Sequence, residues 1–282
     1  MTYDSRELST YDGADIRLYA FTLGTHVWRY CTGDRDALFE GHTYIAAPVS
    51  DGGLKQKGQA TTDDFVVTMV STLPLPLLYR GTPPSMPVKL AVRHQQYGDP
   101  DAPLMWVGYV ASVKFKDEIT SEVLCNSQTA FLHRKGIRLA YSRECPHALY
   151  DDECQVDKSL WGENVTITGM SAVAFTYDYI DPPRSNNRSG RFINGFVEWA
   201  PGIGGVPRGW TERRSIQFQV DSPQAAVGLL GLTDGLAVGM TVTLYPGCDR
   251  GPANCALFNN ISNNGGFAFM TGTSPFDGNP VF

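Results

Sequence analysis

This chain is short of charge, of histidine and of long apolar runs, and each shortage excludes something. Charged residues make up 18% of its 282 residues and the formal net charge is −6. A basic nucleic-acid-binding face is therefore not its main business. No apolar run approaches the roughly 20 residues that cross a bilayer, so no membrane anchor is expected. The opening residues, Met1-Thr-Tyr-Asp-Ser-Arg-Glu, lack a positive stretch leading into an apolar one. That argues against a secretory leader and for folding in a reducing cytoplasm. The five histidines (26, 42, 94, 133 and 147) share no common spacing. There is no Gly-rich phosphate loop, no His-Glu-x-x-His and no nucleophile elbow, and the chain is expected not to be an enzyme.

What is present is turn chemistry. Gly 29 and Pro 18, with few Ala/Glu/Lys-rich stretches, lean towards an all-β architecture. Residues 14–22 alternate apolar and polar and end at Gly24, which predicts a strand with one buried face. Val27–Cys31 reads as its hairpin partner. Short strands follow around Gly41, over Phe65–Val70, Val88–His94 and Leu104–Phe115, and over Glu118–Leu124. Pro74 and Pro76 exclude a central strand from Leu73–Leu78, which reads as a loop or short turn. Seven or eight strands in 125 residues, with turns every 8–12, give a barrel or sandwich. Gln128–Leu139 is the best helix candidate, weakened by Gly136. Beyond it, Val165–Gly169, Arg191–Trp199, Arg214–Val220 and Met240–Tyr245 read as strands, and Ser222–Leu232 as a short helix or turn. The expected class is mainly β with few short helices, divided as 1–139 and a smaller β-rich 140–282.

Six cysteines are too few for a disulfide scaffold, but four of them are paired in sequence. Cys145 and Cys154 have eight residues between them, Cys248 and Cys255 have six, and 93 residues separate Cys154 from Cys248. Each pair lies on a loop-like segment rich in Asp, Gly, Pro and Asn, where burial of a thiol as a small hydrophobe needs another cause. Four thiolates on two convergent loops suit a thiophilic centre, a tetrahedral zinc or an iron–sulfur cluster. Buried thiols or two disulfides are the competing readings. Neither pair has the Cys-x₂₋₄-Cys spacing of a zinc knuckle.

Cys145-Pro-His-Ala-Leu-Tyr-Asp-Asp-Glu-Cys154-Gln-Val-Asp, with Tyr245-Pro-Gly-Cys248-Asp-Arg, Cys255, Phe258-Asn-Asn and Asn264-Gly-Gly-Phe267, resembles a tail-tip hub family. The family occurs in long-tailed, non-contractile phages and in gene transfer agents. The tail-tip attachment protein L of phage lambda is similar more distantly. The likeness covers residues 140–282 best, and the run after Phe267 departs from the family pattern. It implies a structural, non-enzymatic virion protein made in the host cytoplasm and closing the distal end of the tail tube. It also implies a tube-like N-terminal barrel, a homotrimer, and a 4Fe–4S cluster on Cys145, Cys154, Cys248 and Cys255, with zinc as the alternative. The implied partners are the distal tail protein, a central tip or fibre protein and the tape measure protein in a lumen through which DNA passes without specific binding. A redox-active or sensing iron–sulfur protein, and a zinc-stapled β interaction module, are the alternatives.

The remaining candidates have plainer readings. Cys31 and Cys125 are expected to be inert buried thiols, His147 a surface histidine, and Asp151, Asp152 and Glu153 a solvated acidic turn. Arg191, Arg208, Arg213 and Arg214 form either scattered surface charge or a subunit interface.

Overall fold

The structure, a computed structural model, describes residues 14–53, 64–128, 141–180, 189–203, 206–207, 209–221 and 224–270. The expected helix over Gln128–Leu139 lies almost wholly outside them. The chain is mainly β, as its turn chemistry implies, and divides into two units. The first comprises Met1–Arg134 and Ala200–Glu212, the second Lys135–Trp199 and Arg213–Phe282. No helix among the described residues is long and apolar enough to cross a membrane.

The first unit is built on nine strands: β1 (Asp15–Leu23), β2 (His26–Cys31), β3 (Ala37–Phe39), β4 (His42–Ala46), β5 (Val49–Asp51), β6 (Asp64–Val70), β7 (Lys89–Gln96), β8 (Leu104–Phe115) and β9 (Thr120–Ser127). They form one sheet in the order β3-β4-β2-β1-β7-β8-β9-β6-β5. Pairing is antiparallel except between β2 and β4. Bulges at Val92/Arg93 and Val110/Ser112 strengthen the twist. The sheet coils around a core of Tyr19, Phe21, Leu23, Phe65, Val67, Met69, Leu90, Val92 and Val123. Side chains tie its β5 edge back to the middle of the sheet, because Asp51 on that last strand accepts from Arg17 and from the Tyr19 hydroxyl on β1.

β1 differs from the expectation of one buried face. Tyr19, Phe21 and Leu23 face the large core, while Ile16 and Leu18 on the opposite face pack with Cys31, Ala37, Phe39 and Tyr44. The short β3–β4 hairpin supplies that second cover, which period-2 patterning in β1 alone does not reveal. Leu73–Leu78 holds a four-residue helix, Pro74–Leu77, with a proline at its start where a missing N–H costs nothing. Residues 200–212 return to this unit. Trp210 fills its core, Glu212 accepts from Trp210 Nε1 and Ser85 N–H, and Thr25 N–H donates to Gly209. A Cβ on Gly24 would stand 2.3 Å from the Gly209 oxygen, so that approach requires glycine.

The second unit is a closed six-stranded barrel. Its strands are β10 (Glu163–Met170), β11 (Ala174–Tyr179), β12 (Phe196–Trp199), β15 (Glu212–Val220), β16 (Ala226–Leu229) and β17 (Thr241–Tyr245). β13 (Gly202–Ile203) and β14 (Val206–Pro207) make a separate two-stranded ladder. The barrel order is β10-β11-β16-β15-β12-β17, with β17 returning to β10. Val165, Ile167, Phe175, Tyr177, Phe192, Val197, Trp199, Ile216, Val227, Leu229, Val242 and Leu244 fill it. Each such side chain contributes about 1.5–3 kcal/mol on burial.

Two expectations change here. The strand expected over Arg191–Trp199 is confined to Phe196–Trp199, because residues 190–194 turn with Asn194 at φ 63°. Ser222–Leu232 contains the strand β16 and no helix among its described residues. Its Ala-rich run is pulled extended because closure needs a strand between β11 and β15, and Gly228 admits the Phe218 ring.

Candidate metal centre

Both cysteine loops belong to the barrel unit, and backbone geometry sets each. In the first, Asp151 is not part of a solvated face. Its carboxylate oxygens accept the N–H groups of Ala148 (2.8 Å) and Cys154 (2.6 Å), which closes the turn that carries Cys154. Asp152 and Glu153 are exposed, as a solvated turn requires. The second loop leaves β17 through Pro246 and Gly247. Gly247 crosses Gly195 so closely that a Cβ on it would lie 1.9 Å from the Ile193 oxygen. Its N–H donates to Arg191 O (2.9 Å). Cys248 then precedes a short helix, Pro252–Leu257, whose buried Cys255 lies in its fourth position. Proline after Gly251 is a helix-start signal that the loop-like composition obscures.

Hydrogen bonds tie the loops together. Cys145 N–H donates to Arg250 O (3.0 Å), and Arg250 N–H points at the Cys248 sulfur (3.3 Å). Asn260 donates from Nδ2 to the Cys154 carbonyl and sulfur, while its own carbonyl accepts from the Cys255 thiol (3.0 Å). All four cysteines are free; Cys145, Cys154 and Cys255 are buried and Cys248 half-buried. Burial pushes the Cys248 thiol up, eased by Arg250 N–H and raised further by Asp249, Cys255 and Cys154. Burial likewise raises Cys255, eased by Asn264 and raised further by Cys154 and Cys145.

Strain gathers at the same place. Among the described residues six that are not glycine have positive φ, and four of them flank these cysteines: Tyr150 (71°), Gln155 (60°), Arg250 (65°) and Asn259 (53°). Such backbone persists only where its surroundings enforce it. Beneath the thiols Cys154, Val156 and Phe258 pack with Leu149, Tyr150 and Trp161, and the Tyr150 hydroxyl donates to Pro246 O (3.1 Å). The tail covers the first loop. Phe267 N–H donates to Ser142 O, its ring lies 5.2 Å from Tyr141, and Gly265 leaves room for His147.

The donor set fits a sulfur-ligated centre: four unpaired thiols, N–H groups turned toward sulfur, and a dry floor. The Asn264 side-chain nitrogen adds to the fit, since it is enclosed without a hydrogen-bond partner among the described residues. No three His, Cys, Asp or Glu side chains among the described residues meet closely enough for a single metal ion. A tetrahedral zinc about 2.3 Å from each sulfur would hold the sulfurs roughly 3.8 Å apart; a polynuclear core stands between its ligands and takes a wider ring.

The other candidates resolve simply. Cys31 and Cys125 are buried thiols in the first unit. Arg191 and Arg214 are buried and so do not form a surface patch. Arg191 pairs with Glu163 and stacks on Phe192, Arg214 lies over Trp199, and Arg213 binds Glu198 above Phe196. Arg208 lies outside the described residues. Sequence reasoning missed Asn260 and Asn264 as sulfur neighbours, since asparagine in a turn-rich tail carries no signal of its own.

In overall fold the chain is similar to a chain of the virion of a native gene transfer agent particle, with TM-score 0.75 over 99% of this chain and 95% of that one, at 16% identity. It is 26% identical over 156 residues to an uncharacterized protein of Xylella fastidiosa (strain 9a5c). That match takes in 50% of this chain, which spans about a third (32%) of the relative's length. Residues 192–274, which carry the second cysteine pair, match the model of the phage conserved hypothetical protein BR0599 family. Residues 16–157, half of the chain and including the first cysteine pair, match the model described as baseplate hub protein, N-terminal attachment domain, and the chain belongs to that baseplate hub family.

Proposed function

We propose that this chain is a structural hub of a phage-type tail tip, a ring that closes the distal end of the tail tube and does no catalysis. In this reading copies of the chain, three to a ring, join the distal tail protein on one side to the central tip or fibre protein on the other. Cys145, Cys154, Cys248 and Cys255 hold a 4Fe–4S cluster as a staple. When bound, the cluster supplies metal–thiolate cross-links between loops remote in sequence. The protein's own residues do the rest. Asp151 and Gly247 hold the loops in register, the Tyr150–Phe258–Trp161 floor keeps water away, and the N–H of Arg250 faces a sulfur. One cross-link closing a loop of about 100 residues is worth about 4.7 kcal/mol in the chain-entropy model. The reading rests on one observation above all: loops carrying four free cysteines, from segments 93 residues apart, are tied together by hydrogen bonds on backbone of positive φ in a baseplate hub chain.

Metal analysis of anaerobically purified protein tests it. Brown protein with about four irons per chain is the expected result, and stoichiometric zinc would replace the cluster by a zinc staple. Iron-free, zinc-free protein that is fully folded would remove the staple altogether.

A further inference from the structure

The end of the barrel remote from the cysteines is poor in charge and rich in exposed aliphatic side chains. β10 runs from the cysteine side to Met170 and turns through Ser171–Val173 into β11, while residues 230–240 lead from the end of β16 to the start of β17. Hydrogen bonds lace this longer loop to the shorter turn. Leu229 N–H donates to Val173 O (2.8 Å), Thr233 N–H to Ala172 O (3.0 Å), the Thr233 hydroxyl to Ser171 O (2.8 Å) and Gly239 N–H to Ile167 O (2.8 Å). Leu236 is buried and pins the loop to the barrel core. The backbone is thus fixed, yet Leu230 and Val238 are each 61% exposed, and Met170, Val173 and Leu232 are exposed on the same laced segments. From Thr166 to Tyr177 there is no charged residue, and from Ser222 to Leu244 the single one is Asp234. Isolated surface aliphatics are ordinary, but several on adjoining rigid loops mark a contact surface.

We propose that this barrel end is a subunit interface whose occupant is another copy of the same chain, packed loop to loop about the rotation axis. The assignment rests on the reading of the chain as a ring of copies, and adds the face on which they meet. Three observations choose the occupant. No Lys or Arg lies on these segments, whereas a surface that rests on a bilayer sets cations beside its apolar groups. No exposed Trp, Tyr or Arg offers the anchor typical of contacts between different proteins, and interfaces between identical subunits are the more apolar class. Copies of a chain of net charge −6 repel one another, so they approach at least cost where charge is scarcest. About a closed symmetry axis, identical aliphatic loops pack on themselves and need no complementary patch elsewhere. Loops already fixed by hydrogen bonds lose little freedom on docking.

The test is sedimentation of the full chain over a range of concentrations, with thermal melting of dilute protein, for wild type and for Leu230→Asp combined with Val238→Asp. Leu38→Asp, at an exposed aliphatic of the first unit, is the control. Wild type and the control are expected to associate as concentration rises. The double variant is expected to associate about tenfold more weakly or worse, because like charges then face one another, and to melt as wild type does. Should the Asp pair melt early, Leu230→Gln with Val238→Thr removes apolar contact without adding charge, and is expected to weaken association at unchanged melting. Wild-type rings that neither pair weakens overturn this face and leave the hub ring standing. Wild type that stays monomeric at every concentration overturns the ring and the face together. Binding of that monomer to vesicles of zwitterionic lipid, abolished by the Asp pair, would give the face to a bilayer instead.

Discussion

Single side chains decide two things in this molecule. At the thiols, Asn260 and Asp151 show how much of the local geometry lies outside the cysteines themselves. The cysteine spacing was legible because cysteines are rare and paired, whereas the asparagines that hold them look like any turn residue until a fold brings them to sulfur. In the first unit, the enclosed Asp51 carboxylate does a comparable job for a sheet. Burial raises its pKa, but Arg17, Tyr19 and the Gly53 N–H outweigh that and the net shift is downward. Replacing Asp51 by Asn leaves Arg17 and Tyr19 poorly paired, and is expected to cost roughly 1–3 kcal/mol at pH 7. Because the folded pKa is depressed, the stability from Asp51 is complete above the unfolded value, near 3.9, and is lost as pH falls through the folded one. Thermal melting at pH 7 and at successively lower pH should therefore show the gap between wild type and variant closing only below about pH 4. A gap that is constant with pH would mean packing, and not this carboxylate, is responsible.

Among the elements, β17 and the turn after it matter most to the site. The strand itself was readable from Met240–Tyr245, since alternating Val242 and Leu244 fill the barrel. What the sequence could not reveal is that Gly247 meets Gly195 backbone to backbone, a tertiary contact between residues 52 positions apart. Gly247→Ala must push the 191–195 turn away from Cys248, at a cost of a few kcal/mol. We expect that variant to melt earlier than wild type and to hold substoichiometric metal, while Gly239→Ala, where a Cβ meets nothing within 4 Å, shifts melting through its positive φ alone and keeps the metal. Equal metal in the two would disconnect the crossing from the site. β16 teaches the complementary lesson: local propensity in Ala225-Ala-Val-Gly favoured a helix, and ring closure overrode it.

Taken whole, the chain is β-rich for reasons its turns announce, and both cysteine loops belong to the barrel unit. The nine-stranded order, with β3 and β4 added outside β2, was not readable, because short edge strands leave no periodic trace. The return of residues 200–212 to the first unit was equally hidden inside a Gly/Pro-rich stretch. At this scale the proposed staple predicts an assembly defect when it is lost. A phage whose hub carries Cys154→Ser should make normal heads and fail to complete tails, as seen by electron microscopy and plaque counts. Wild-type numbers of infectious particles from such a mutant would exclude a structural need for that thiol.

Because Trp210 belongs to the first unit's core while residues 135–199 precede it in the chain, the ribosome must release β10, β11 and β12, the first half of the barrel strands, before that core can be finished. A nascent chain halted at residue 199 would present an unfilled hydrophobic cleft beside Trp28, open to proteases and chaperones. Synthesis order thus interleaves the two units, and neither core can be finished until the chain has passed through residues of the other.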